Sequence, residues 1–114
     1  MEIINIGTDI EEVSRFENLE KKVLSRLFTS SEIDYCQSKK NAAQHFAARY
    51  SAKEAVFKAL PFSEIAFKKI EISNTKAGAP QIVVKDKRAE GLEFKISLSH
   101  TKNLVQAVVL IYKK

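Results

Sequence analysis

"FAARYSAKEAVFKAL" (46–60) reads as one continuous helix, and its charges raise the question of function. At about 100° per residue, Phe46, Tyr50 and Phe57 fall on one face, while Ala48, Ala52, Ala55 and Ala59 form a smooth stripe roughly opposite. Ser51, Glu54 and Lys58 share a third sector, and Arg49 and Lys53 stand one turn apart beside the aromatic face. No side is plainly solvated. A helix touched all round must place its charges deliberately.

Upstream of it, "FTSSEIDYC" starts another helix with Thr29 or Ser30 as its cap, and "QSKKNAAQ" loosens the pattern between the two. The long segment runs from about Ala42 to Leu60, and Pro61 stops it. Nearer the start, "IINIG" (3–7) is a short β-branched strand. The stretch "TDIEEVSRFENLEKKV" then predicts a helix, with Ile10, Val13, Phe16 and Leu19 at helical spacing and either Thr8 with Glu11 or Asp9 with Glu12 as a capping box.

Downstream the period switches to two. "IAFKKIEISN", the turn "TKAGAP" and "QIVVK" make a hairpin, and "DKRAEGLE" is a loop or one helical turn. "FKISLSHT" and "LVQAVVLIY", joined by "KN", form a last antiparallel pair. A single strand, then helices, then strands: the expected class is α+β in one domain spanning residues 1–114.

At 114 residues such a domain buries very roughly 65% of the surface of its unfolded chain, enough for a real core. With 45% hydrophobic and 29% charged residues the composition is that of a globular protein, and no apolar run approaches membrane-spanning length. "MEIINIGTDIEE" lacks a basic start and a small-residue cleavage site, which points to a cytoplasmic protein. The lone Cys36 forms no internal disulfide and reads as inert. A net charge of +5 favours an anionic partner, whether nucleic acid, phosphorylated metabolite or acidic protein.

Taken singly, the polar residues have ordinary explanations. Asp9 at a strand end caps a helix or projects a carboxylate, and Glu54 and Lys58 at i,i+4 form a helix-stabilising pair. Ser99 and His100 are adjacent in a strand and point to opposite faces, which argues against a serine nucleophile. His100 is suited to a phosphate or to a turn, and His45 to a helix surface. Gly7, Gly78 and Gly91 are too scattered for a phosphate-cradling loop, so a phosphate would need side chains, metal or a helix end. Two isolated carboxylates suit a hard divalent cation, and the surplus cations suit a polyanion.

Read together, "IGTDIEEVSRF", "FAARYSAKEAVFKAL" and "ISLSHT" resemble the three signature motifs of holo-acyl-carrier-protein synthases, the small bacterial type of 4′-phosphopantetheinyl transferase. The likeness covers nearly the whole chain. It implies transfer of the phosphopantetheine arm of coenzyme A to a serine of an apo acyl carrier protein, with release of adenosine 3′,5′-bisphosphate, in support of fatty acid biosynthesis. By the same resemblance Asp9 and Glu54 would bind Mg²⁺, and Glu54, directly or through a water, would take the serine proton. Lys58 would offset charge on the leaving phosphate. Arg49, Lys53, Lys58, His100 and Thr101 would contact coenzyme A, and the acidic carrier would dock on Arg15, in the family's "D-I-x-x-x-x-R" position, with Lys22 and Arg26. The resemblance further implies a homotrimer whose active sites lie between neighbours.

Two departures stand out. After "KAL" the family usually has a glycine-containing loop, whereas this chain has "PFSEIAF"; and Tyr50 and Ser51 replace the more usual aromatic and alanine. A small basic nucleic-acid-binding domain is the main rival, yet the strands carry Val, Ile and Leu where a base-stacking platform needs aromatics. The other rival is a trimeric scaffold without turnover.

Overall fold

In the computed structural model, which describes residues 1–114, the first strand is more than twice as long as its sequence suggests. Strand β1 runs Glu2–Glu12 and takes in the segment expected to open a helix. Only Val13–Phe16 forms a short 3-10 turn, and helix α1 is confined to Lys21–Leu27. The local spacing of Ile10, Val13 and Phe16 is overridden by a long ladder, antiparallel from Glu2 opposite Lys113 to Glu12 opposite Leu104. Neither expected capping box forms, because Asp9 and Glu11 are strand residues two apart and share one face.

The other elements follow the sequence pattern. Helix α2 (Ser30–Gln37) begins at a true capping box, Thr29 with Glu32, and α3 (Ala42–Ala59) ends at Leu60 just before Pro61. Strands β2 (Ile70–Asn74) and β3 (Pro80–Val84) form the hairpin. Lys87–Ala89 is a single 3-10 turn, and β4 (Glu93–His100) pairs with β5 (Leu104–Lys113). The main sheet has the order β1-β5-β4, beside the separate β2-β3 ribbon. The class is α+β, as expected.

Helix α3 lies across one face of the main sheet. Ala52, Ala55 and Ala59 are fully buried, and they meet the inward residues of β5, Ala107, Val109 and Ile111. The contact with β1 is closer still: a Cβ on Gly7 would stand 2.1 Å from the Ala55 carbonyl oxygen, so only glycine fits there. A second cluster, built on Phe16, Leu24, Phe28, Cys36 and Phe46, seats α1 and α2 on the first half of α3. The opposite face of the sheet is uncovered, with Ile6, Ile10 and Leu104 exposed on it beside Thr8 and Gln106. No helix is long and apolar enough to cross a membrane.

Candidate active site

The tight packing of α3 on β1 brings the first two motifs together. Asp9 projects from the inward face of β1, and Lys58 reaches it from the last turn of α3, Nζ to Oδ1 at 3.2 Å, while also donating to the Thr8 carbonyl at 3.2 Å. Lys58 therefore pairs across the interface with Asp9, in place of the i,i+4 pair with Glu54 that the spacing allows. Ser51 ties the same two elements by donating from Oγ to the Asp9 carbonyl at 3.1 Å.

Glu54, one turn before Lys58, is half-buried beside them. Its carboxyl is pushed above the usual range by burial and then by the Asp9 charge, with Lys58 and Arg15 pulling the other way. Glu11 is a third carboxyl in the group. It is buried and receives Arg15 Nη1 on Oε1 at 2.7 Å, and its affinity for a proton is raised from 4.5 to about 7 by burial and by the neighbouring Asp9. The phenol of Tyr50 is raised as well, by burial and by Glu54. Three carboxyl groups thus crowd together with two cations, an arrangement that favours added positive charge.

One observation tests whether that charge is a metal. Asp9 Oδ2 is buried and has no hydrogen-bond partner, although the side chain is only 8% exposed. An orphaned, hard, anionic oxygen beside a second carboxylate fits Mg²⁺. No group of three His, Cys, Asp or Glu side chains converges well enough to hold an ion alone. A cation here would complete its shell with water and ligand oxygens, as Mg²⁺ commonly does with phosphates.

The expected coenzyme A contacts do not stay together. Arg49 and His100 line a cleft of about 420 Å³ with Gln44, His45 and Asn74. Arg49 donates from Nη2 to Asn74 Oδ1 at 2.7 Å and stacks 4.0 Å over the Tyr35 ring, with its Nε unpaired. His100 Nδ1 lies 2.8 Å from Gln44 Nε2. His45 sits edge-on to Tyr35, and burial followed by the Arg49 charge holds its pKa down. Thr101 shapes the β4–β5 turn, its Oγ1 accepting from the Asn103 and Leu104 amides, and it borders a separate small hollow with Ile10 and Gln106 on the uncovered face.

Lys53 lies inside the fold rather than in that cleft. It is fully buried, and its three donors go to Glu32 at 2.8 Å and to the Phe67 and Ile70 carbonyls at 2.9 and 2.6 Å. No donor is left for coenzyme A. Its partner Glu32 also caps α2 through the Thr29 amide and accepts the Ile72 amide, so one buried pair joins α2, α3 and β2. Arg15, Lys22 and Arg26 are exposed on the 3-10 turn and α1. Cys36 is buried, with its thiol pushed up to about 12, which keeps it protonated and inert. In the glycine-free loop after α3, Glu64 takes the left-handed conformation, φ +63°, that glycine adopts most easily.

Comparison with known proteins decides the family. Residues 5–109 match the model of the 4′-phosphopantetheinyl transferase superfamily. The chain belongs to that family. It is 36% identical to the holo-[acyl-carrier-protein] synthase of Geotalea daltonii, over 97% of this chain and 99% of that one. It is also 35% identical to a segment of fatty acid synthase subunit alpha from Schizosaccharomyces pombe, covering 96% of this chain but 6% of that protein. Among solved structures it is similar to the holo-(acyl-carrier-protein) synthase of Bacillus anthracis in complex with CoA (3′,5′-ADP). There the TM-score is 0.87 and the identity 28%, with all of both chains covered. The chain is thus a transferase of the holo-acyl-carrier-protein synthase type, and the Asp9 group and the Arg49–His100 cleft lie within the matched segment.

Proposed function

We propose that this protein transfers the 4′-phosphopantetheine arm of coenzyme A to the serine hydroxyl of an apo acyl carrier protein. A bond forms between the serine oxygen and the phosphorus that carries pantetheine. The diphosphate bond breaks, and adenosine 3′,5′-bisphosphate leaves. The convergence of Asp9, Glu54 and Lys58 at the α3–β1 contact carries the reading, supported by the family.

Glu54 takes the serine proton. Its raised affinity for protons brings it nearer the pH at which it must both accept and release one. Asp9 and Glu54 would hold Mg²⁺, which would supply positive charge against the diphosphate. Lys58, half-exposed and free to swing from Asp9, meets the charge that builds on the leaving phosphate. Arg49, with its unpaired Nε, and His100 suit the anionic groups of the nucleotide half, and Thr101 follows His100 at the β4–β5 turn, outside the cleft that Arg49 lines.

Arg49 and Glu54 lie five residues apart on α3, about 8 Å along its axis and roughly 140° around it. One ligand spanning both within a single copy would have to wrap the helix. The exposed Ile6, Ile10 and Leu104 suit contact with another copy, and the assembly is read as the homotrimer that the resemblance implies, with each site completed by a neighbour. Arg15, Lys22 and Arg26 present cations to an acidic carrier. We assign the reaction to fatty acid biosynthesis in the cytoplasm, a reading that the likeness to a fatty acid synthase segment supports on the side of fatty acid biosynthesis.

The test is intact-mass spectrometry of apo carrier incubated with the protein, coenzyme A and Mg²⁺, with EDTA as control. A metal-dependent gain of one phosphopantetheine group is expected; no gain on a competent carrier overturns the reading. Glu54→Gln should lower the rate at least 100-fold without changing the fold, since it removes the base and a metal ligand together.

A further inference from the structure

Glu11 has no place in the reaction as written, and its position calls for one. The Glu11 side chain is buried on the same strand face as Asp9, where it adds like charge beside an acid already there. It does not complete a metal cage, since no three ligating side chains converge here. Its one cation is Arg15, at 2.7 Å. The pairing is lopsided: the Arg15 side chain is 62% exposed while Glu11 is 7% exposed. An ordinary surface pair leaves both partners mobile and is worth little. Here the acid is fixed inside the fold and the arginine reaches out from it.

We infer that Glu11 is a positioning residue that clamps Arg15 to the strand carrying Asp9, so that the guanidinium meeting the carrier is held at a fixed offset from the metal carboxylates. The inference rests on the proposed carrier reaction and deepens it. A free arginine would lose rotamer freedom when it docks, and a preformed clamp removes part of that cost before the carrier arrives. Only one Arg15 nitrogen is used by Glu11, so the remaining donors stay available to a carboxylate of the partner. The serine must arrive within reach of Glu54. Fixing the docking cation to β1, two residues from Asp9, ties carrier placement to the site where the bond forms.

The test is a double-mutant cycle of Glu11→Gln and Arg15→Gln, reading KM for carrier, KM for coenzyme A and kcat. Carrier affinity is also measured by calorimetry without coenzyme A. Glu11→Gln is expected to raise KM and Kd for carrier 3- to 10-fold while KM for coenzyme A stays within twofold, and to add nothing further once Arg15 is Gln. Thermal stability should hold or rise, which a merely structural role would not give. Unchanged carrier affinity in Glu11→Gln, an equal increment in the Arg15→Gln background, or a parallel rise in KM for coenzyme A overturns the inference. Failure of the wild-type protein to transfer the arm would strike the proposed reaction, and the calorimetric cycle would still decide the clamp.

Discussion

Lys53 and Lys58 stand five residues apart on α3, carry the same charge and belong to the same motif, yet they do opposite work. Lys53 points between α2 and β2, is fully buried and spends its three donors on Glu32 and two carbonyls. Lys58 points across to β1, is half-exposed and holds Asp9 through a longer contact that a ligand can replace. The first lysine closes a network in which every member is satisfied; the second belongs to one that leaves Asp9 Oδ2 without a partner. Full satisfaction marks the lysine that holds the fold. Incomplete satisfaction marks the one that awaits a substrate.

The sharpest way to break that distinction is to truncate each lysine in turn. Lys53→Ala leaves Glu32 buried without its cation, and the expected loss is about 3–5 kcal/mol of stability. Urea unfolding measures it, and a loss below about 1 kcal/mol would show that the buried pair is not what joins α2, α3 and β2. Lys58→Ala should change stability by less than about 0.5 kcal/mol, as for other exposed pairs. Transfer to the carrier should nevertheless fall on the order of 100-fold, the scale of losing one group that stabilises developing charge. If both variants lost stability, or both only lost turnover, the division of α3 into two roles would fail.

How far this division is visible in the sequence depends on which forces act locally. The helix 46–60, the Thr29 cap, the hairpin and the final strand pair are set by periodicity and turn chemistry, and they fold as read. The segment after Gly7 does not. Its helical spacing is genuine, but pairing with β5 over the whole of β1 satisfies more backbone than one short helix would. Once β1 is extended, Asp9 and Glu11 share a face by simple alternation, so the third carboxyl was hidden only by the helical reading. Lys53 is a different case. Nothing in the motif separates a lysine aimed at a phosphate from one aimed at Glu32, because burial arises only when α2 and β2 close over it. The sequence reading places the cap at Thr29 or Ser30 and is silent on Glu32, whose part in both the cap and the ion pair only the fold reveals.

A pH series sharpens the same contrast. The Glu11 carboxyl binds its proton more tightly in the folded chain, at about 7 against 4.5. Between those values the folded state holds more protons than the unfolded one, so its stability falls as pH rises from about 4.5 to about 7. Glu54 is shifted in the same direction and adds to the trend. In EDTA, the gap in melting temperature between Glu11→Gln and wild type should widen in favour of the variant across that window. A gap that stays constant would mean that the carboxyl group is not strained by its neighbours. Mg²⁺ should narrow the gap, because added positive charge relieves the repulsion that the variant removes.

The smallest effect belongs to Ser51, which precedes Lys53 by two residues and reaches β1 as Lys58 does. Its hydroxyl is fully buried and donates to the Asp9 carbonyl, so it fastens the catalytic strand to the structural helix by a single neutral hydrogen bond. Ser51→Ala removes that bond with almost no change in volume, and the remaining acceptor is a carbonyl that the β1–β5 ladder already surrounds. The expected cost is therefore about 1 kcal/mol of stability, read as a small drop in melting temperature, with kcat within threefold of wild type. A larger fall in kcat at unchanged stability would mean that the bond sets the orientation of Asp9 itself. In that case the β1-facing side of α3 that awaits substrate would reach back from Lys58 to Ser51, beside residues of the same turn that hold the fold.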